Sequence, residues 1–341
     1  MTNIDTNVTG LHLIMGWQCN ARCVMCYQTD FSTKHNMPPV IYLEHLAGLY
    51  PSLRNVTIQG GEPTIMPNCA EFARHMRQFN GVKLDITTNG IRVSDFWMDT
   101  FINQSSRINF SLNAASAEAY DMIVKQGNFR NVLKNIEMLI KARRGDKPVV
   151  SISSVIVAHN ALELAAIVEL GDKLGVDFIE YIIDPILSFN GLPERGEMVR
   201  QLSKTQETID RLKMRVAGLD VFARKFGMDV SKSISHKPNK ICPVPFNHLL
   251  VDFNGDVLVC CRTWKVIGNT YKAGMDEILK GAKLRAFQKK VTNNDYIWCS
   301  PWCYDNPAPK RSAIISKYLT LIRQDPKYFF KKVSAKYKKM R

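Results

Sequence analysis

The chain reads as an α/β protein: a partial (β/α)6 TIM-like barrel, then a small cysteine-rich extension and a basic helical tail. Three observations predict this. Short apolar runs alternate with stretches of helical spacing, the pattern of right-handed βα units around a parallel sheet. Glycine and polar residues follow the first four runs, at the end where parallel sheets bind ligands. Five of the nine cysteines are held back beyond residue 240, outside the repeats. At 341 residues there is room for one barrel-sized domain and an extension.

The first strand is the apolar run 11–16, and Cys19, Cys23 and Cys26 follow it at once. Residues 40–49 have helical spacing, and the second strand, 55–59, is stopped by Gly60-Gly61-Glu62-Pro63-Thr64. A helix over 68–79 leads to the third strand, 82–87, which ends at Thr88-Asn89-Gly90. Helix 97–102 precedes the fourth strand, 108–112, whose end carries Ser111 and Asn113. One long helical region, 116–142, then runs to the fifth strand, 149–157; helix 162–174 and the sixth strand, 178–183, complete the series. From 187 to 240 a connector includes the last barrel helix, 201–216. Runs 249–251 and 257–259 flank the turn Asp252-Phe253-Asn254-Gly255-Asp256 and read as a hairpin. The expected divisions are an N-terminal extension 1–10, a barrel 11–200, a connector 201–240, a cysteine-rich domain 241–309 and a tail 310–341.

Apolar content of 45% and charged content of 23% are those of a globular protein. No apolar stretch approaches the roughly 20 residues that span a bilayer. Residues 1–10 are polar and the run after them is too short for a secretory core, so a cytoplasmic location is expected. Nine cysteines in that setting read as metal ligands rather than disulfides. The net charge of +15 is concentrated: residues 310–341 hold eleven Lys or Arg against Asp325 alone, leaving +5 for everything before them. Such a tail, with its aromatic and aliphatic residues, suits an anionic surface at the inner membrane face or an acidic partner. Nucleic acid ranks lowest, since the body carries no basic face that sequence reveals.

Cys19, Cys23 and Cys26 form a C-x3-C-x2-C run. So short a loop folds its sulfurs around one soft metal centre but does not supply a fourth from the same side. Three thiolates hold three irons of a four-iron cluster and leave the fourth open to a substrate or cofactor. The alternative is a structural zinc loop, although zinc sites usually show paired C-x2-C hooks. In the extension the hairpin places Cys260 near Cys242, and Cys299 with Cys303 makes a late hook. That set encloses either a complete four-iron cluster or one zinc ion. Cys261 is left over: a spare ligand, a buried bystander or a hydrogen-atom donor. Cys69, alone near a helix start, reads as core, and the seven histidines show no pair at ligand spacing. Asp184, just past the sixth strand, stands where a general base works, with a helix cap as the plainer reading.

Over about residues 10–185 these features resemble the radical S-adenosylmethionine (radical SAM) superfamily, on the cysteine loop after the first strand and Gly60-Gly61-Glu62-Pro63 after the second. The resemblance implies a [4Fe-4S] cluster on Cys19, Cys23 and Cys26, whose open iron binds the amino and carboxylate groups of SAM. It implies that Gly60, Gly61, Glu62 and Pro63 lie against the SAM amino group, and that Ser111 and Asn113 contact ribose or carboxylate. Met25 stands where the family usually has an aromatic residue on the adenine; a thioether packs against a ring as well. The C-terminal part is similar to SPASM and twitch extensions, whose opening signature is met by Cys242, Gly255 and Cys260. With only Cys299 and Cys303 remaining, the twitch form with one auxiliary [4Fe-4S] cluster fits better than a full SPASM domain with two.

The implied chemistry is reductive cleavage of SAM to methionine and a 5′-deoxyadenosyl radical, which takes a hydrogen atom from a C–H bond. It calls for an electron donor such as flavodoxin or ferredoxin. The expected substrate is a small molecule, sugar- or alcohol-like, or a peptide. A ribosomal-peptide maturase or epimerase is the alternative, against which a barrel starting near residue 11 is expected to leave no room for a fused leader-binding domain. An alternative of another class is a SAM- and cluster-binding protein that matures or activates a partner.

Overall fold

In chain order the strands are β1 (Gly10–Ile14), β2 (Arg22–Cys23), β3 (Asn55–Gln59), β4 (Lys83–Thr88), β5 (Ser105–Ser111), β6 (Val124–Lys125), β7 (Val149–Val155), β8 (Phe178–Ile182), β9 (Val216–Ala217), β10 (His248–Asp252), β11 (Asp256–Leu258) and β12 (Gly268–Asn269). The helices are α1 (Pro67–Met76), α2 (Asp95–Gln104), α3 (Ala117–Ile123), α4 (Phe129–Ala142), α5 (Leu164–Leu174), α6 (Arg195–Leu212), α7 (Leu219–Ala223), α8 (Val244–Asn247), α9 (Met275–Leu279) and α10 (Ala282–Thr292). They come from a computed structural model that describes residues 7–26, 28, 30–184, 187–228, 230, 241–300 and 303. The basic tail expected over 310–341 lies outside the described residues, as does the whole of the polar stretch 231–240. The class is α/β with mostly parallel strands, and all six expected strands are present.

The chain divides into two compact units. One comprises residues 1–18, 27–84 and 236–341; the other comprises 19–26 and 85–235. Strand β4 begins in the first and ends in the second.

In the first unit the strand order is β12-β11-β10-β1-β3. Leu11 stands opposite Val56 and Leu249, and Leu13 opposite Ile58 and Val251, all parallel. These six side chains are buried, which is what period-two alternation on a covered sheet face predicts. The hairpin β10–β11 forms as the sequence predicts. What the sequence does not announce is that its first strand lies parallel beside β1, so the opening of the cysteine-rich region is part of the same sheet as the first strand. Helix α1 buries Phe72, Ala73 and Met76, and Cys69 on the same helix is fully buried, the core role expected of it. The regular helix expected over 40–49 is instead two short turns, Ile41–His45 and Ala47–Ser52; Pro51 lacks the N–H that a longer ladder needs.

In the second unit β5, β7, β8 and β9 are parallel neighbours. Ile108 and Phe110 pair with Val150 and Ile152 on the apolar side. On alternate positions Asn109 accepts from Ser151 Oγ at 2.9 Å and donates to Ser153 Oγ at 2.9 Å, a polar layer where barrel interiors usually carry branched aliphatics. The single helix expected over 116–142 is broken. α3 stops at Ile123, β6 intervenes with Gln126 at φ +63°, and Asn128 restarts α4 by accepting the Asn131 N–H at 2.9 Å.

Candidate functional site

The approach to the cysteine loop is built in the first unit. The Met15 N–H donates to the Gln59 carbonyl, and the Met15 carbonyl accepts from Met37 N and from Asn68 Nδ2. The stretch Gly16–Gln18 then runs against the exit of β3. The Gly61 N–H donates to the Gly16 carbonyl and the Glu62 N–H to the Gln18 carbonyl, each at 2.8 Å. A side chain at Gly60 would meet the Gly16 carbonyl at 2.6 Å, and one at Gly61 the Gln18 carbonyl at 2.1 Å. The two glycines are thus required by close backbone approach to the residues that lead into Cys19. Glu62 is almost fully buried and its Oε1 accepts from Thr64 N (3.0 Å) and Thr64 Oγ1 (2.7 Å), capping the turn that Pro63 opens. Trp17 meets His35 at a 45° tilt (4.6 Å between ring centres) and Phe253 at the hairpin tip edge-on (5.3 Å).

The thiols themselves belong to the second unit. Cys23 pairs with Val124 across β2–β6, and the Val24 N–H donates to the Ile123 carbonyl at 2.9 Å. This pairing is why the long predicted helix breaks: residues 124 and 125 leave the helix to serve as a partner strand for the cysteine loop. Arg22 Nη1 donates to the Cys19 and Ala21 carbonyls, both at 2.8 Å, closing the loop on itself. Cys26 N donates to the Cys23 carbonyl at 3.1 Å. Cys19 Sγ accepts from Ala21 N at 3.4 Å and lies 3.9 Å from Asn89 Nδ2. All three thiols are half-buried and none is in a disulfide, while Met25 between them is buried.

Two other predicted contacts turn out to be engaged in the frame. Asn113 Oδ1 accepts from Val155 N (2.9 Å), its Nδ2 reaches the Ser111 carbonyl (3.3 Å), and its own carbonyl accepts from Asn160 Nδ2 (2.8 Å). It ties the ends of β5 and β7 together, with Ser111 half-buried beside it. Asp184 is buried; its Oδ1 accepts the Leu187 N–H at 2.8 Å, which is the capping arrangement that the sequence offered beside the general base.

In the extension, back in the first unit, Cys242 N donates to the Tyr296 hydroxyl (3.3 Å) and Cys260 Sγ accepts from Arg262 N (3.4 Å). Thr263 bridges Cys299 as a short antiparallel pair, reinforced by Ser300 N to the Arg262 carbonyl at 2.7 Å. Burial, and then the neighbouring Cys303 and Cys242 thiols, push the Cys299 thiol up to about 12. Burial likewise raises Cys260 well above the ordinary thiol range, with Cys261, Cys299 and Cys303 adding to it. Cys261 is exposed. Lys265 and Lys290 each stand 5.0 Å above the Trp298 ring beside this group.

Two family profiles match the sequence. That of the Radical SAM superfamily covers residues 13–172, and that of SPASM, an iron-sulfur cluster-binding domain, covers 242–304. Residues 13–172 belong to the radical SAM superfamily. Among curated relatives of this radical SAM chain is a probable GTP 3′,8-cyclase of Thermococcus kodakarensis, 28% identical over 172 residues, 49% of this chain and 54% of the relative. The chain spans about half the length of the curated relatives it matches. Streptococcus suis SuiB bound to precursor peptide SuiA is similar in fold, with TM-score 0.62 and 13% identity over 90% of this chain and 74% of that one. So is anSMEcpe with bound AdoMet and the Cp18Cys peptide, with TM-score 0.62 and 17% identity over 97% of this chain and 99% of that one. These likenesses show the fold.

As a member of this superfamily with a SPASM region, the protein is an enzyme whose cofactors are [4Fe-4S] clusters and SAM. Its residues fit an anionic iron–sulfur group at both places. N–H groups already converge on Cys19 Sγ, and the Asn20 Nδ2 amide is buried with no hydrogen-bond partner. In the extension, thiols raised first by burial and then by one another's proximity are thiols that a cation would deprotonate, and the nearby Trp264 indole N–H is buried without a partner. Among the described residues no three His, Cys, Asp or Glu side chains already form a closed cage. No described helix is long and apolar enough to cross a membrane.

Proposed function

We propose that this radical SAM enzyme abstracts a hydrogen atom from a C–H bond of a peptide, with one cluster at the SAM site and one auxiliary cluster. Cys19, Cys23 and Cys26 hold the first, and Cys242, Cys260, Cys299 and Cys303 the second. When bound, the first cluster and SAM supply a 5′-deoxyadenosyl radical. Gly60, Gly61, Glu62, Pro63, Ser111, Asn113 and Met25 line the SAM position, and residues 11–200 and 241–309 are the corresponding functional divisions. The observation that carries the reading is the separation of the thiols into a loop of three, which can hold three irons and leave one open, and a later group whose Cys242, Cys260, Cys299 and Cys303 are enough for four irons. A peptide substrate is supported by solved structures of similar fold that span at least 90% of the chain and hold a peptide, SuiB with SuiA and anSMEcpe with the Cp18Cys peptide among them. The second reading is a small polar substrate such as a nucleotide, favoured by the GTP 3′,8-cyclase relatives and by the polar layer Asn109, Ser151 and Ser153.

A flavodoxin or ferredoxin delivers the electron, and the location is cytoplasmic, with residues 310–341 offering a contact to an anionic membrane face or acidic partner. The test is anaerobic reconstitution followed by SAM and dithionite, measuring 5′-deoxyadenosine. Wild type forms it and Cys23→Ala, shown folded by circular dichroism, falls by at least about a hundredfold. Deuterium carried into 5′-deoxyadenosine from a labelled peptide library, and not from labelled nucleotides, selects the peptide reading; the reverse selects the other. Undiminished SAM cleavage by Cys23→Ala would sink the ligand assignment.

A further inference from the structure

The loop between Cys19 and Cys23 holds a buried donor that the protein itself leaves unused. Asn20 Oδ1 accepts from Asn89 Nδ2 at 2.8 Å, and Asn89 Oδ1 in turn accepts the Ile91 N–H at 3.0 Å. That chain fixes the plane of the Asn20 carboxamide, so its Nδ2 cannot exchange places with its oxygen without losing a hydrogen bond. Nδ2 is nevertheless buried and finds no partner. A buried amide N–H without an acceptor is unfavourable, and a folded protein rarely retains one without a ligand to satisfy it. Around it the other donors already point at sulfur: Ala21 N reaches Cys19 Sγ at 3.4 Å, and Asn89 Nδ2 lies 3.9 Å from the same atom.

We infer that the Asn20 carboxamide donates a hydrogen bond to a sulfur of the cluster held by Cys19, Cys23 and Cys26, and thereby sets the reduction potential of that cluster. The inference rests on the assignment of those three cysteines as ligands. The physical cause is charge. Reduction adds one electron to an already anionic group, so an N–H directed at sulfur stabilises the reduced form more than the oxidised form and raises the potential. Asn20 is a positioning and tuning residue: it acts through the cluster and touches no substrate. With Asn89 and the Ala21 amide it makes a donor set on one side of the loop, held by β4's exit.

The test uses the full reconstituted chain and a redox titration followed by electron paramagnetic resonance, reading the reduced signal that shifts on adding SAM. Asn20→Ala removes the donor; Asn20→Asp keeps the shape and the acceptor for Asn89 but lacks the N–H groups. At the wild-type midpoint, the ratio of reduced to oxidised cluster is expected to fall about three- to tenfold in Asn20→Ala, tenfold being 59 mV for a one-electron couple. Asn20→Asp, which also adds negative charge, is expected to fall at least as far. Iron and sulfide content should stay at the wild-type level. An unchanged ratio with iron retained overturns the inference. So does loss of iron with an unchanged ratio in what remains, which marks a purely structural role, and so does an effect confined to weaker SAM binding, which marks the SAM carboxylate as the acceptor. A wild-type chain with no SAM-responsive signal would instead overturn the ligand assignment, so the two failures are distinct.

Discussion

Gly61→Ala is the most demanding test of how the cysteine loop is held. The new Cβ would lie 2.1 Å from the Gln18 carbonyl oxygen, and that oxygen is backbone, which no side-chain rotation can clear. Reaching an ordinary contact requires the two segments to part by about 1 Å. That movement opens the Gly61 N–H to Gly16 carbonyl bond and the Glu62 N–H to Gln18 carbonyl bond, both 2.8 Å. At about 0.5–1.5 kcal/mol for each bond, the loss is about 1–3 kcal/mol of stability. Gln18 is joined covalently to Cys19, so the displacement also reaches the first thiol. A misplacement of about 1 Å commonly costs about a hundredfold in rate. The assay is 5′-deoxyadenosine formation in a single turnover, with a thermal melt on the same sample. Gly81→Ala is the control, because a Cβ there meets nothing within 4 Å. If Gly61→Ala keeps its melting temperature and reacts within about twofold of wild type, the close-approach account is refuted.

The extension yields a pair of substitutions with opposite outcomes. Cys260→Ala should lower the reconstituted iron content by about four per chain, whereas Cys261→Ala, whose thiol is exposed, should leave it unchanged; iron and sulfide analysis decides. Asp252 offers a pH-dependent one. Burial first, and the Asp256 charge second, hold its carboxyl up at about 6 against an ordinary 3.8, so its stabilising contribution is complete below about 3.8 and is lost as pH rises through about 6. Asp252→Asn keeps an oxygen for the Asn254 and Asp256 N–H groups (2.8 and 3.0 Å) and should therefore stabilise the chain at pH 8. The ceiling is about 3 kcal/mol from the shift, nearer 1 kcal/mol after solvent screening. Urea melts that show the same gain at pH 4 and pH 8 would contradict this.

The strands were legible because each is a short apolar run bounded by glycine, asparagine or a charged turn, and because burial on one face enforces alternation. The thiol motif was legible for a chemical reason: few arrangements of three cysteines in eight residues serve any other purpose. What escaped sequence reading were pairings, which depend on which edge a strand finds. Leu249–Val251 reads as half a hairpin, and nothing in its residues says that its other edge meets Leu11–Leu13. Val124 and Lys125 carry no strand signal within a helical pattern; only the presence of Arg22 and Cys23 as partners draws them out. Gly127, where a Cβ would press on the Tyr120 ring at 2.6 Å, was the local hint of that break.

A three-cysteine loop is too short to order itself. Within it Arg22 donates to the Cys19 and Ala21 carbonyls, Ala21 N to the Cys19 sulfur and Cys26 N to the Cys23 carbonyl. Further order is supplied by residues that carry no cysteine, the Ile123 carbonyl and Val124 on one side and Asn89 on the other. The spacing of the cysteines therefore states which metal the loop can hold, while the β6 break and the Asn89 carboxamide decide whether the thiols stand where holding it is possible. A chain with the same cysteine spacing and an unbroken helix across positions 116–142 would keep the motif and lose the site.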